Sequence, residues 1–203
     1  MIETFLRAPR GAGETVADAI RAAGVVSIVV ATIGWGVVEF AVFALTLLGL
    51  LLPRMLGSRP AFDILAGLTL LIAAWSSVLE FYTTIPGWDL LIHFVANGVI
   101  AAMAALVLEK TGILDIARGS RHTRAASIIV VTALGLAFGV VWEIAEWLGH
   151  NLVDSRIFVG YDDTIGDLVA GGLGALVSGV ALPAIRAGDR SVDATRRATS
   201  SAG

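Results

Sequence analysis

"VVSIVVATIGWGVVEFAVFALTLLGLLL", residues 25–52, is an apolar run of 28 residues that carries one charge, Glu39. As a single α-helix it would be about 42 Å long at 1.5 Å per residue, whereas the hydrocarbon core of a bilayer is about 30 Å thick. The run is read as one membrane span, strongly tilted or irregular, with Glu39 deep inside it. The number of crossings, and with it the side of the membrane on which each end of the chain falls, follows from this reading.

The rest of the chain supports a membrane setting. It has 203 residues, 57% of them apolar and only 15% charged, and a mean hydropathy of +0.85. A soluble domain is rarely so oily. Four further runs could cross a bilayer, at about 61–82, 88–109, 125–149 and 165–185. Pro53 and Pro60 bracket the first break and Pro86-Gly87 marks the second, while the polar stretch 110–124 and the mixed stretch 150–164 separate the others. The expected fold is therefore all-α, a polytopic transmembrane bundle of about five spans. Three regions are expected: an N-terminal amphipathic segment over 1–23, a transmembrane helical domain over 24–186, and a disordered polar tail over 187–203. In the first, "GETVADAIRAAG" (13–24) mixes charged and small apolar residues at helical spacing, which predicts a helix lying at the membrane interface. The N-terminus lacks the short hydrophobic region and cleavage site of a secretory signal.

Basic residues collect in cytoplasmic loops. With five crossings and the C-terminus inside, the cytoplasmic side receives Arg54, Arg59, Lys110, Arg118, Arg121, Arg124, Arg186, Arg190, Arg196 and Arg197, ten of the 14 basic residues. Arg7, Arg10, Arg21 and Arg156 fall outside, and the first three sit there against the rule. The expected location is the bacterial cytoplasmic (inner) membrane. The lipid bilayer is the expected surrounding, and no nucleic-acid partner is expected. The chain has no cysteine, so disulfides, thiolate ligands and cysteine nucleophiles are excluded. Any metal would have to use carboxylate, imidazole, carbonyl or water.

The acids fall on one side. Glu80 closes the second run, Asp89 and His93 open the third, Glu143, Glu146 and His150 close the fourth, and Asp163 and Asp167 open the fifth. Alternating crossings bring those four ends together whichever way the chain is oriented. Asp89, His93 and Asn97 stand four residues apart on one helical edge, and Glu143, Glu146 and His150 stand at i, i+3 and i+7 on another. An ionised side chain at membrane depth costs on the order of 3 kcal/mol by insertion scales, so such groups face the bundle interior and find counter-charge. Arg156 is the one basic residue near them in sequence, and protons or a bound cation must supply the rest. Carboxylates with imidazole suit Zn, Mn or Fe, and Ca or Mg if the histidines stay out of the shell. The expected metal ligands are Asp89, His93, Glu143, Glu146, Asp163 and Asp167. Glu80, His150, Glu39 and Asn97 are further candidates, and the metal's identity is open.

Plainer explanations cover several other residues. Trp88, Trp142, Trp147 and Tyr161 lie where an aromatic belt belongs. Gly135 and Gly139, and Gly171, Ala175 and Gly179, have the small-x-x-x-small spacing of close helix packing. His122 sits among arginines in an inner loop as a solvated residue.

Three ordered stretches resemble one family. "WDLLIHF" (88–94), "WEIAEW" (142–147) and "DDTIGDL" (162–168) are similar to motifs of the YjdF-like inner-membrane proteins of unknown function, and more distantly of the VanZ-like superfamily. The likeness runs from about residue 79 to 179 and maps onto Asp89, His93, Phe94, Glu143, Glu146, Trp147, Asp163, Thr164 and Asp167. Leu168 stands where methionine is usual, and "EFYTTIPGW" (80–88) keeps Tyr82, Thr83 and Pro86 but carries Glu80 near the usual histidine. VanZ-like proteins usually show Glu-x-x-Gln where this chain has Glu143 and Glu146. The resemblance implies a cell-envelope setting and no particular reaction. Three functions are in view: a metal-dependent enzyme acting on an envelope or lipid-linked substrate, a cation or proton transporter with Glu39 or Asn97 as the inward step, and a non-enzymatic membrane factor that binds a partner.

Overall fold

A computed structural model describes residues 2–114, 121–155 and 157–186. The described residues form helices and no strand: α1 (Ile2–Leu6), α2 (Ala12–Trp35), α3 (Val37–Leu56), α4 (Pro60–Val78), α5 (Phe81–Thr84), α6 (Trp88–Lys110), α7 (Arg121–Leu152) and α8 (Tyr161–Ile185). Six of them, α2, α3, α4, α6, α7 and α8, are long and apolar enough to cross a membrane. The expected tail and Arg156 lie outside the described residues, as does the side chain of His122.

The five-span expectation is corrected at Gly36. Its backbone sits at φ 117°, ψ −158°, a region that residues with a Cβ essentially do not enter. There the long run breaks into two helices that fold back on each other. Gly24 of α2 lies against Leu50 and Leu47 of α3, and the Arg21 Nε donates to the Leu50 carbonyl at 3.0 Å, so the two run antiparallel. At about 36 Å for α2 and 30 Å for α3, each half is long enough to span by itself. The break also moves Glu39 from mid-span to the first turn of α3.

Contacts divide the chain into two units, Met1–Val78 with Ala181–Gly203, and Leu79–Val180. In the first, α4 packs on the α2–α3 hairpin. Ala31, Phe43 and Ala74 form its core, with Trp75 packed against them. Trp75 meets Phe43 edge-on at 5.1 Å and its indole donates to Ser27 Oγ at 3.1 Å.

The segment expected at the interface is instead the first half of α2. Its charges turn inward onto an ion network. Glu14 accepts from Arg7 at 2.6 and 2.7 Å and from Arg54 at 2.8 Å. Arg21 pairs with Asp18 at 2.7 Å and with the buried Asp63. Arg54, only 4% exposed, is a network member and no loop residue. Buried ion pairs of this kind survive where each charge has a partner, and this one ties α2, α3 and α4 together.

In the second unit α6, α7 and α8 pack through small residues, which the spacing on α7 and α8 predicts. A Cβ at Gly174 would fall on the Phe94 carbonyl, and one at Gly135 on the Ala175 side chain. Along α7, Ser127, Val131, Gly135 and Gly139 form the buried edge at four-residue intervals. On α6 the corresponding edge is His93, Asn97, Ala101 and Ala105.

Candidate metal centre

Helix α6 begins just past Gly87 at the turn Ile85–Gly87, and its first buried edge residues are polar. Asp89, half-buried in the first turn, lies one turn before His93, and His93 Nε2 is 3.4 Å from Asp89 Oδ1. Helix α8 supplies the third member. Asp167, one turn beyond Asp163, is 2% exposed, and its Oδ2 lies 4.0 Å from the same His93 Nε2. One ligand atom from each of Asp89, His93 and Asp167 can be chosen so that all lie within 4.8 Å of one another. Ligands on opposite sides of one ion are about 4.0–4.4 Å apart when each bond is about 2.0–2.2 Å. Small side-chain rotations would therefore close this group on a cation.

The other expected ligands take graded positions around it. Glu143 lies within Coulombic reach of Asp163 and Asp167, and one of its oxygens, Oε1, is buried without a hydrogen-bond partner among the described residues. Glu146, one turn on, lies within Coulombic reach of Glu143, His93 and Asp89, and the Trp142 indole hydrogen-bonds its carboxylate. Trp142 thus has a polar task besides any anchoring one. Among the described residues no arginine or lysine forms an ion pair with Asp89, Glu143, Glu146, Asp163 or Asp167.

The further candidates separate clearly. Asn97, 6% exposed, forms the floor one turn below His93. Its Nδ2 has no partner among the described residues and occupies the space where Cβ atoms at Gly139 and Gly171 would lie. Those glycines serve the amide as well as helix packing. His150 is engaged elsewhere, its Nδ1 donating to the Ile157 carbonyl at 2.6 Å and fastening the end of α7 to the following loop. Glu80 is exposed at φ 57°, and its carbonyl accepts the Thr83 and Thr84 backbone N–H groups that start α5. Glu39 belongs to the other unit.

Tyr82 of α5 joins this group and was not among the expected ligands. Burial, reinforced by the negative charges of Asp89, Glu146 and Asp167, pushes the Tyr82 hydroxyl pKa up, so it remains a phenol able to donate. In the sequence it is among the residues that "EFYTTIPGW" keeps from the family's motif, without a role attached.

Six apolar helices and a half-buried carboxylate–imidazole group define a polytopic membrane protein. The model of a family described as predicted membrane protein (DUF2238) matches residues 17–188. The chain belongs to that family, which the YjdF-like motifs fit broadly. An uncharacterized protein of Thermotoga maritima is 32% identical over 93 residues. The match covers 45% of each chain, so this chain spans about half the length of that curated relative. No solved structure matches.

Proposed function

We propose that this protein binds a divalent cation at the outer face of the bacterial cytoplasmic membrane through Asp89, His93 and Asp167. On this reading the ion activates water against an envelope or lipid-linked substrate. The observation that carries it is the convergence of those three side chains, two from α6 and one from α8, in a neighbourhood of carboxylates without a basic partner among the described residues. Two carboxylates and an imidazole suit Zn, Mn or Fe, and a bound ion lowers the pKa of its water far enough to make a nucleophile near neutral pH. Glu146, hydrogen-bonded by Trp142, would be the general base that takes the proton.

Charge distribution supports the outer placement. With α2, α3, α4, α6, α7 and α8 each crossing once, both termini lie on one side, and Arg7, Arg10 and Arg21 join the other basic residues there. Of the 14 basic residues, Arg156 alone is then left on the far side, as the preference of Lys and Arg for the cytoplasm requires. The starts of α6 and α8 and the end of α7 face outward.

A site entered from one side is the reading favoured over a conduit, because the small residues below Asn97 pack closely. Beneath Asn97, Ala101, Gly135 and Ala175 are buried and in close contact.

The test is thermal unfolding of purified, metal-stripped protein with Zn, Mn, Fe, Mg or Ca added. A ligand at 100 times its Kd stabilises by about 2.7 kcal/mol, so at least one of these ions should raise the unfolding temperature by several degrees. His93→Ala should abolish the rise, and no response to any of the five would contradict the proposal.

A further inference from the structure

We propose that one buried water bridges Asn97 Nδ2 and Asp167 Oδ1, and that Asn97 acts through it as a positioning residue, holding Asp167 with its Oδ2 toward His93. The positioning role rests on the reading that Asp89, His93 and Asp167 hold a cation; the water does not.

Three helices fix the place of Asn97. It stands one turn after His93 on α6. Its side chain fills the space where a Cβ at Gly171 of α8 would be, and a Cβ at Gly139 of α7 would come within 3.0 Å of its Nδ2. Gly171 is in turn one turn after Asp167, whose Oδ2 lies 4.0 Å from His93 Nε2. The two helices therefore step together, with His93 beside Asp167 and Asn97 beside Gly171. The amide is thus held one layer beneath the carboxylate that α8 contributes to the candidate site.

The two side chains leave complementary atoms open. Asn97 is 6% exposed and Asp167 2%, yet neither Asn97 Nδ2, a donor, nor Asp167 Oδ1, an acceptor, has a hydrogen-bond partner among the described residues. Burying either atom in that state is costly. One helical turn, about 5.4 Å, separates the level of the amide from that of the carboxylate, and two hydrogen bonds of about 2.8 Å each through one water cover that distance. Water also has the right valence, since it accepts from the amide and donates to the carboxylate, whereas Nδ2 is a donor only and repels a cation. Buried waters serve this purpose wherever two or more polar groups would otherwise stay unpaired. A carboxylate with one oxygen held in this way presents the other in a fixed direction, and loss of such a partner costs about 10–100-fold in metal affinity.

The bridge is tested in the wild type and the positioning role in variants, with the full chain in both. A crystal structure of the metal-stripped protein should show a water about 2.7–3.2 Å from both Asn97 Nδ2 and Asp167 Oδ1. In calorimetric titration with Mn²⁺, Asn97→Leu, which keeps the volume and removes the donor, should bind about 10–100-fold more weakly. Asn97→Ser restores a donor and leaves room for a second water, so it should recover most of that loss. A residue with a packing role alone would follow volume instead, and Asn97→Ser would then bind more weakly than Asn97→Leu. Ordered Asn97 and Asp167 side chains with no water between them, or bonded directly to each other, would overturn the bridge, and this arm decides even if Asn97→Leu does not fold. Equal Mn²⁺ affinity in the wild type and Asn97→Leu would overturn the positioning role while the cation site stands. A wild type that binds neither Mn²⁺ nor Zn²⁺ but shows the water would overturn the cation reading and the positioning role, and leave the water site standing.

Discussion

Asp167 decides more than any other residue in the candidate site. It is the most deeply buried of the carboxylates there and the one member of the three-residue group from α8. Asp167→Asn keeps the volume and removes the charge, and it should weaken divalent-cation affinity by at least tenfold while leaving the protein folded. Calorimetric titration checks this, and unchanged affinity would remove Asp167 from the site. Affinity should also fall as pH is lowered, since ligating carboxylates and imidazole must be deprotonated and binding releases protons. Tyr82 offers a test that is independent of metal. Its hydroxyl is held above the ordinary value, so it is still protonated near pH 10, where an unperturbed phenol is about half ionised. Tyr82→Phe should leave the tyrosinate absorbance developed by pH 10 unchanged, and a clear drop would show that the hydroxyl is not buried beside these acids. The stripe Asp89, His93 and Asn97 was legible because four-residue spacing puts polar groups on one helical edge whatever the tertiary structure. Tyr82 was marked by the family resemblance, but its place beside the acids was not legible, because that depends on what α7 and α8 bring near it.

At the scale of elements, a single glycine accounts for the error in reading the long apolar run. The break at Gly36 is one residue long and is flanked by Ile33, Trp35, Val37 and Val38, all exposed apolar side chains. No proline marks it, and the one charge near it, Glu39 in the first turn of α3, also fits a polar residue within a single long span. Gly34-Trp35-Gly36 was the available hint, but glycine inside an apolar run is equally a packing device. Gly36→Ala should therefore cost about 1–3 kcal/mol, the usual range for such backbone conformations, measurable as a lowered unfolding temperature. No change would mean that the hairpin does not need this geometry. The ion network was hidden for a related reason. Helical spacing predicts that Glu14, Asp18 and Arg21 share a face, but says nothing about whether lipid headgroups or Arg54 and Asp63 will meet them. Asp63→Ala would remove the buried one of the two carboxylates that Arg21 pairs with, a loss of up to about 3 kcal/mol, the lower end for a broken buried pair, whereas an interfacial residue would cost little. Close packing of α7 on α8 was expected from small-residue spacing and is seen where Gly135 meets Ala175 and Gly179 meets Ile128, because without a hydrophobic drive in lipid, close approach is what that spacing provides.

At the scale of the whole molecule, the even number of crossings removes the conflict that five spans created for Arg7, Arg10 and Arg21. The chain contains no cysteine, so single cysteines introduced at residues 10, 58 and 86 can be labelled without background. Those at 10 and 58 should react from the cytoplasmic side and that at 86 from the outside. Labelling of 10 and 58 from opposite sides would restore five crossings. The grouping of acids at one set of helix ends was legible because it needs only alternation of crossings and survives a change from five to six. Which of those acids actually meet was not legible, since it depends on helix rotation and depth. The most direct measurement is anomalous X-ray diffraction from crystals grown with Mn²⁺ or Zn²⁺. A peak at the metal's absorption edge, about 2.0–2.3 Å from His93 Nε2 and from oxygens of Asp89 and Asp167, is the predicted result. Well-ordered side chains at saturating metal, with no anomalous peak between α6 and α8 and His93 hydrogen-bonded to Asp89 instead, would contradict the account.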